Sequence, residues 1–317
     1  MTERPRFVDL PVRPGAPPGS TWGLWGDGDE IGTLNLIGTE EVRAAAALVR
    51  RGDVFSLNWD LTQPAPAFFG RGTLRHTIIS KYEGVAVDDY VDGFWPQASS
   101  QWDGLRHFAD ADHGFYNGAT LADVTASGPG RLGVEHWAKR GIAARGVLLD
   151  VARVLEHDGG SVDPFDFYAI GPSLLRRTAA EQGVALRTGD VLVIRTGWIE
   201  GYEPLGEEAR VALAEEGRPG SPGLYGDDVP AFLWDTGIAA VAADNPAVEA
   251  GRRGAGSDLA LHKALIARLG MPLGELWDIQ HLAGDCAADG VYEFLLTSAP
   301  LLIPGGAGSP PNVLALK

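Results

Sequence analysis

The run Asp190-Val-Leu-Val-Ile-Arg-Thr196 holds an unbroken apolar stretch, Val191 to Ile194, and is too short for a core helix. A strand with one wetted face alternates apolar and polar side chains. A run without alternation needs cover on both faces, which is the situation of a strand inside a sheet flanked by helices. Gly146-Val-Leu-Leu-Asp150 is a second short buried strand, and residues 233–237 followed by 239–243 continue a helix-then-strand rhythm. These segments predict a mixed α/β architecture.

Other segments extend this reading. Residues 39–50 begin with the N-cap candidate Thr39 and read as a helix ending near Gly52. Residues 53–59 alternate as a strand does, and 73–80 are a further strand. Helices are expected over 134–140, closed by Gly141, over 173–182, stopped by Gly183, and over 258–269, with Gly270 at C′. Strands at 291–297 and 301–304 close the chain. The Gly/Pro-rich stretch 217–226 reads as a long loop. Residues 1–30, rich in Pro, Gly and Trp, read as an irregular arm before one α/β domain over 31–317, able to reach over a neighbouring subunit.

Composition narrows the function. The 317 residues are 45% hydrophobic and carry a formal net charge of −16, so a large core forms and clustered basic charge is scarce. That excludes nonspecific nucleic-acid or anionic-membrane binding and favours a small-molecule substrate. No apolar run reaches the length of a membrane span. The single cysteine, Cys286, allows no disulfide framework and no CxxC metal site. The first residues lack a basic-then-apolar signal pattern, so a cytoplasmic protein is expected.

Chemistry concentrates in Gln97-Ala-Ser-Ser-Gln101-Trp-Asp103-Gly-Leu-Arg-His107. In extended conformation Gln97, Ser99, Gln101, Asp103, Leu105 and His107 would share a face. Two amides, a carboxylate and an imidazole on one face cost too much desolvation for ordinary core. Asp103 can orient His107 and raise its basicity, as general-base catalysis requires. The competing reading has His107 capping a turn and Asp103 paired with Arg106. His262 and Glu275 could converge with Asp103 on one cation, or simply cap local structure. Asp244 in Ala243-Asp-Asn-Pro246 follows an apolar strand, where α/β sheets place sites, although Asp-Asn-Pro also favours a turn. Trp95, Trp102 and Phe115 could line an apolar pocket, or be core. Residues 251–257 and 305–310 lack the context of a phosphate-binding loop. Of the other histidines, His113 in Asp110-Ala-Asp112-His113 is the reserve candidate.

The chain as a whole resembles the cyclase family that includes bacterial kynurenine formamidases and isatin hydrolases. The resemblance rests on Asp29-Glu-Ile-Gly-Thr-Leu-Asn-Leu36, Arg145-Gly-Val-Leu-Leu-Asp150, Asp190-Val-Leu-Val-Ile-Arg-Thr-Gly197, Ala243-Asp-Asn-Pro-Ala-Val-Glu249 and Tyr292-Glu-Phe-Leu-Leu296 with Ile303-Pro-Gly-Gly306. It implies a swivelling β/β/α-type single domain with a mixed sheet and flanking helices, assembled as a homo-oligomer, dimer or tetramer. The family signature H-x-G-T-H-x-D-x-P-x-H falls on residues 97–107, with Gln97 and Gln101 in place of its first two histidines. Asp103 keeps the metal-ligand position and His107 the catalytic one. His262 and Glu275 match the later ligand pair with the spacing off by about a residue.

Glutamine replaces imidazole poorly toward Zn²⁺ or Mn²⁺. The resemblance therefore implies one divalent ion on Asp103, His262 and Glu275, with a metal-free site as the alternative. It implies a hydrolase of a non-peptide amide, cyclic amide or lactone. His107 is the general acid/base, and Gln97, Gln101, Trp102, Trp95, Phe115 and Asp244 face the substrate. Two other readings are a catalytically retired small-molecule binder and an intramolecular cyclase or dehydratase of secondary metabolism.

Overall fold

A computed structural model describes residues 4–125, 130–160, 162–253 and 259–317. The strands in chain order are β1 (Val54–Ser56), β2 (Arg75–Lys81), β3 (Ala86–Asp92), β4 (Gln101–Asp103), β5 (Ile142–Asp150), β6 (Tyr168–Ile170), β7 (Val191–Arg195), β8 (Pro222–Leu224), β9 (Ala240–Ala243), β10 (Leu273–Glu275), β11 (Glu293–Ser298), β12 (Gly308–Ser309) and β13 (Val313–Leu316). Nine of them form one curled sheet in the order β1-β13-β11-β5-β7-β9-β10-β4-β12. Its centre, β5-β7-β9-β10, is parallel, and antiparallel strands complete it on both sides.

The apolar runs occupy that centre. Val147, Leu148, Leu149, Leu192, Val193, Ile194, Val241 and Ala242 are all buried, on alternating faces of their strands. Cover on both faces is thus present where missing alternation demanded it. Helices Thr39–Ala46 and Pro172–Glu181 pack against β5. The result is a single mixed α/β domain with a curled sheet and flanking helices.

Several elements differ from expectation. Residues 301–304 form no strand: Pro304 has no N–H to give a ladder, the Leu301 amide goes to Ser309 Oγ at 2.7 Å, and the Ile303 amide turns back to the Leu301 carbonyl at 2.8 Å. The chain closes instead on β13, which lies between β1 and β11 and alternates buried Val313 and Ala315 with more exposed Leu314 and Leu316. The first helix ends at Ala46, and the Arg51 and Gly52 amides then donate to the Lys317 carbonyl, at 3.1 and 2.6 Å, drawing the chain beside β13. The 217–226 stretch contains β8, paired in parallel with β6. The strand expected at 73–80 is half of a hairpin, β2–β3.

The helix expected over 258–269 starts, in its described part, at Ala260. It widens after His262 into π-type turns over Lys263–Leu269 and stops at Gly270 in the left-handed region. Asp258 and residues 254–257 lie outside the described residues, as do 1–3. The described part of the N-terminal arm lies on its own chain. Trp22 Nε1 donates to the Ala267 carbonyl at 2.8 Å, Thr21 Oγ1 to Leu269 at 2.9 Å, and the Phe7 amide to Asp235 Oδ1 at 2.7 Å. These directional contacts, two of them buried, hold the described part of the arm to its own body.

Candidate functional site

β4 and β10 build the site. Their antiparallel register sets Glu275 opposite Gln101 and Leu273 opposite Asp103. Residues two apart on a strand share a face, so Gln101, Asp103 and Glu275 point the same way. All three are buried. Gln101 Nε2 donates to Glu275 Oε2. Trp102, between them, points to the opposite face, is fully buried, and packs edge-on against Trp277 with ring centroids 4.7 Å apart. Gly274 permits this, since a Cβ there would lie 2.8 Å from the Trp277 ring and 2.6 Å from the Ala242 Cβ. Trp102 therefore packs in the core, on the face away from Gln101, Asp103 and Glu275.

The extended face expected over residues 97–107 is confined to β4. On one side a turn brings Gln97 back, and its amide donates to Asp103 Oδ1 at 3.2 Å and lies 2.6 Å from His107 Nδ1. On the other side the His107 amide closes a turn on the Gly104 carbonyl at 2.9 Å, placing His107 Nε2 3.7 Å from Asp103 Oδ2. Gly104 permits that turn: a Cβ would meet the Ala307 carbonyl at 2.7 Å. Ser99 turns away to the Asp60 carbonyl, and Leu105 is buried in the core. Turns, not alternation, collect Gln97, Asp103 and His107. The alternative pairing of Asp103 with Arg106 does not form: the Arg106 guanidinium binds the Arg131 and Gly305 carbonyls.

His262 arrives from the short helix before the π-type turns. Its Nε2 lies 3.6 Å from Asp103 Oδ2 and 3.2 Å from Glu275 Oε1. Its Nδ1 lies 2.6 Å from Glu249 Oε1. Glu249 also accepts the backbone N–H groups of His262 at 3.1 Å and Leu261 at 3.3 Å. The Phe108 ring packs on both histidines, with centroids 6.2 Å from His107 and 5.4 Å from His262.

Three buried carboxylates around one imidazole shape the protonation. Burial works against the charge on His262, but Asp103, Glu249 and Glu275 outweigh it and raise its pKa well above the ordinary histidine value. Burial likewise opposes ionisation of Asp103, yet His107, His262 and Arg71 hold its carboxyl well below the usual range. Burial and the Asp103 charge push Glu275 up to about 7. His107 is lowered, mainly by burial and despite Asp103, so it is neutral at neutral pH and can accept a proton.

The residues fit a divalent ion. Ligands around a tetrahedral ion at about 2.1 Å lie roughly 3.4 Å from one another, close to the 3.6 and 3.2 Å between Asp103, His262 and Glu275. One ligand atom from each of the three falls within a 4.8 Å group. Among the described residues, Asp103 Oδ2 and Gln101 Oε1 are buried without a hydrogen-bond partner, which leaves lone pairs available to a cation or water. The reserve cluster is weaker. Asp110 already accepts from Arg268 Nε at 2.7 Å and the Asp112 amide at 3.0 Å, and has His113 Nδ1 at 3.2 Å.

The remaining candidates lie elsewhere. Asp244 is buried and spends both oxygens on Thr196 N and Oγ1, each at 2.7 Å, and Gly197 N at 2.8 Å, tying the end of β9 to the loop after β7. It is a structural anchor. Trp95 is half-exposed at the base of the β2–β3 hairpin, against Gly72. Phe115 is half-buried, with its amide on the Ala119 carbonyl. Sequence reading missed Arg71, Phe108 and Glu249 as neighbours of the cluster. Glu249 carried one signal, an acid at the end of the loop after β9, but no spacing rule links it to His262 thirteen residues on.

The chain belongs to the cyclase family: the family model named Cyclase matches residues 55–250. A crystal structure described as a novel cyclase superposes with a TM-score of 0.84 at 36% identity, covering 94% of this chain and 99% of the other. An isatin hydrolase bound to the product analogue thioisatinate shares the fold, with a TM-score of 0.59 at 19% identity over 89% of this chain and 99% of that one. Isatin hydrolase A from Labrenzia aggregata, bound to benzyl benzoate, does so at 0.56 and 17% identity over 86% and 94%. No curated protein matches the chain.

Proposed function

We propose that this protein is a hydrolase of a non-peptide amide, cyclic amide or lactone, with Asp103, His262 and Glu275 holding one divalent ion and His107 serving as general acid/base. The observation that carries the reading is the convergence of those three ligand atoms with His107 beside Asp103. The isatin hydrolases of the same fold open a cyclic amide by name, which favours that substrate class.

When bound, the ion supplies Lewis acidity toward a water and a carbonyl oxygen. One imidazole and two carboxylates suit Zn²⁺ or Mn²⁺. The chain's own groups do the rest. Gln97 donates one N–H to Asp103 Oδ1 and the other to His107 Nδ1, which keeps Nδ1 unprotonated. The reacting water takes the place of the Gln97 N–H at Nδ1. His107 accepts its proton as the oxygen attacks the carbonyl, then returns that proton to the departing nitrogen or oxygen. Asp103 stabilises the imidazolium formed between those steps. Glu249 fixes His262 with Nδ1–H toward itself and Nε2 toward Asp103 and Glu275. Phe108 packs on both histidine rings and helps hold them in place.

The occupation of His107 Nδ1 by Gln97 also favours a second reading, a small-molecule binder that has lost turnover. One experiment separates the two. N-formyl anilines, isatin-like lactams and aryl lactones are assayed with wild type and His107→Ala, each with added Mn²⁺ or Zn²⁺. The hydrolase reading expects turnover that falls roughly 10²- to 10⁴-fold in His107→Ala. Wild type that binds panel members in a thermal-shift screen and turns none over would establish the binder.

A further inference from the structure

We propose that Arg71 is a specificity-determining residue: its guanidinium binds a carboxylate carried by the substrate, so that the amide or lactone taken by this site bears an acid group. The assignment rests on the hydrolase reading above and names the substrate class within it.

The cluster opens on one side. The Asp103, His262 and Glu275 side chains are at most 2% exposed, whereas that of His107 is 23% exposed. Arg71 stands on the His107 side. Its guanidinium donates to the Gln97 carbonyl, and the Gln97 side chain in turn bonds Asp103 and His107. The Arg71 charge is felt across the cluster and lowers the pKa of Asp103, His107 and Glu275 alike.

The loop that delivers Arg71 is tightly held. Phe68 is buried between Trp198 and Tyr202, with ring centroids 5.6 and 6.1 Å away. Phe69 and Gly70 follow in the left-handed region, at φ 59° and 70°, and the Arg71 amide closes the turn on the Phe68 carbonyl at 3.2 Å. Glycine adopts that conformation freely, but for a phenylalanine it is strained. The strained residue sets its ring against the guanidinium, which lies 5.0 Å from the ring centroid, and so fixes one face of the Arg71 plane.

What remains of that plane has no acid. Arg145 and Arg195 each hold two carboxylates, and Arg140 spends its donors on backbone carbonyls. Among the described residues Arg71 has one side-chain acceptor, the Gln97 carbonyl, and no carboxylate within 4.0 Å. A mere counter-ion to the buried acids would touch one of them. The fork is instead left with free donors on the open side of the site, and the partner that matches it in charge and geometry is a carboxylate.

The test compares N-formyl anilines that carry a ring carboxylate with the matching carboxamides, on metal-loaded wild type, Arg71→Met and Arg71→Lys. The quantity read is the ratio of kcat/KM between the two members, because lost folding or lost metal moves both equally. Wild type favours the carboxylate roughly 10- to 100-fold, the weight of one hydrogen bond to a charged group. Arg71→Met brings the ratio near unity, mainly through KM, and Arg71→Lys, which keeps the charge without the fork, falls between. A wild-type ratio near unity, or a ratio that survives in Arg71→Met, would overturn the assignment. Absent turnover of every member would count against the hydrolase reading alone, so thermal shifts by benzoate and benzamide are measured in parallel on chelator-stripped protein, where no ion can hold the acid. Benzoate should stabilise wild type more than benzamide does, and lose that advantage in Arg71→Met. Equal shifts by the two compounds in wild type, or the same benzoate shift in both proteins, would also overturn it.

Discussion

Glu249→Gln isolates the role of the carboxylate behind His262. The substitution keeps side-chain length and one acceptor oxygen but removes the charge. Glu249 Oε1 faces His262 Nδ1 at 2.6 Å and Oε2 accepts the Leu261 amide at 3.3 Å. In glutamine, one of these positions becomes an NH₂ group. With the oxygen kept on His262, that NH₂ opposes the Leu261 N–H. A hydrogen bond to a charged acceptor contributes about 1.5–3 kcal/mol against about 0.5–1.5 for a neutral one. The loss on the imidazole is thus about 1–1.5 kcal/mol, or roughly tenfold in affinity. Released orientation of the ring carries it toward the 10- to 100-fold known for such outer partners of a metal-bound histidine. The assay is Mn²⁺ titration of chelator-stripped protein against a fluorescent chelator, with metal-free thermal unfolding as the control for folding. A folded Glu249→Gln protein with wild-type ion affinity would refute the orienting role.

Two further expectations follow from the same structure. Burial disfavours the Lys317 ammonium, but Asp285 and Asp289 outweigh it and raise its pKa above the ordinary 10.5. A raised amine contributes stability that is complete below the unfolded value and is lost as pH rises through the folded one. Urea unfolding of wild type should weaken in that alkaline range, and Lys317→Met should lose that part of the weakening; identical alkaline profiles would refute it. Gly146→Ala puts a methyl 2.2 Å from the Phe294 ring between β5 and β11. Overpacking there should cost about 1–3 kcal/mol in chemical denaturation, and an unchanged midpoint would contradict that packing.

The sequence made the centre of the sheet legible because β5, β7 and β9 keep the unalternating pattern that only double cover explains. It misled at residues 301–304, where apolar character passed for a strand although Pro304 lacks a donor and the Leu301 and Ile303 amides bond locally. The hairpin's second half, β3, was invisible: its acids and valines fit neither a core strand nor an amphipathic one. At the site, the identities of Asp103, His107, His262 and Glu275 were readable as chemistry, but the mode of convergence was not. Period-two reasoning placed Leu105 beside His107, whereas two turns fold Gln97 and His107 onto Asp103 and send Leu105 inward. Trp102 shows the same limit in reverse. It sits between two site residues on β4, and strand alternation places it on the opposite, core face. Glu249, Arg71 and Phe108 reach the cluster only through tertiary packing, which local sequence does not encode.

The convergence of Asp103, His262 and Glu275 on one cation is tested most directly by elemental analysis of protein purified without chelators, beside Asp103→Ala and Glu275→Ala. The account predicts about one divalent ion per wild-type chain and its loss in both variants. Near-zero metal in all three proteins would contradict it.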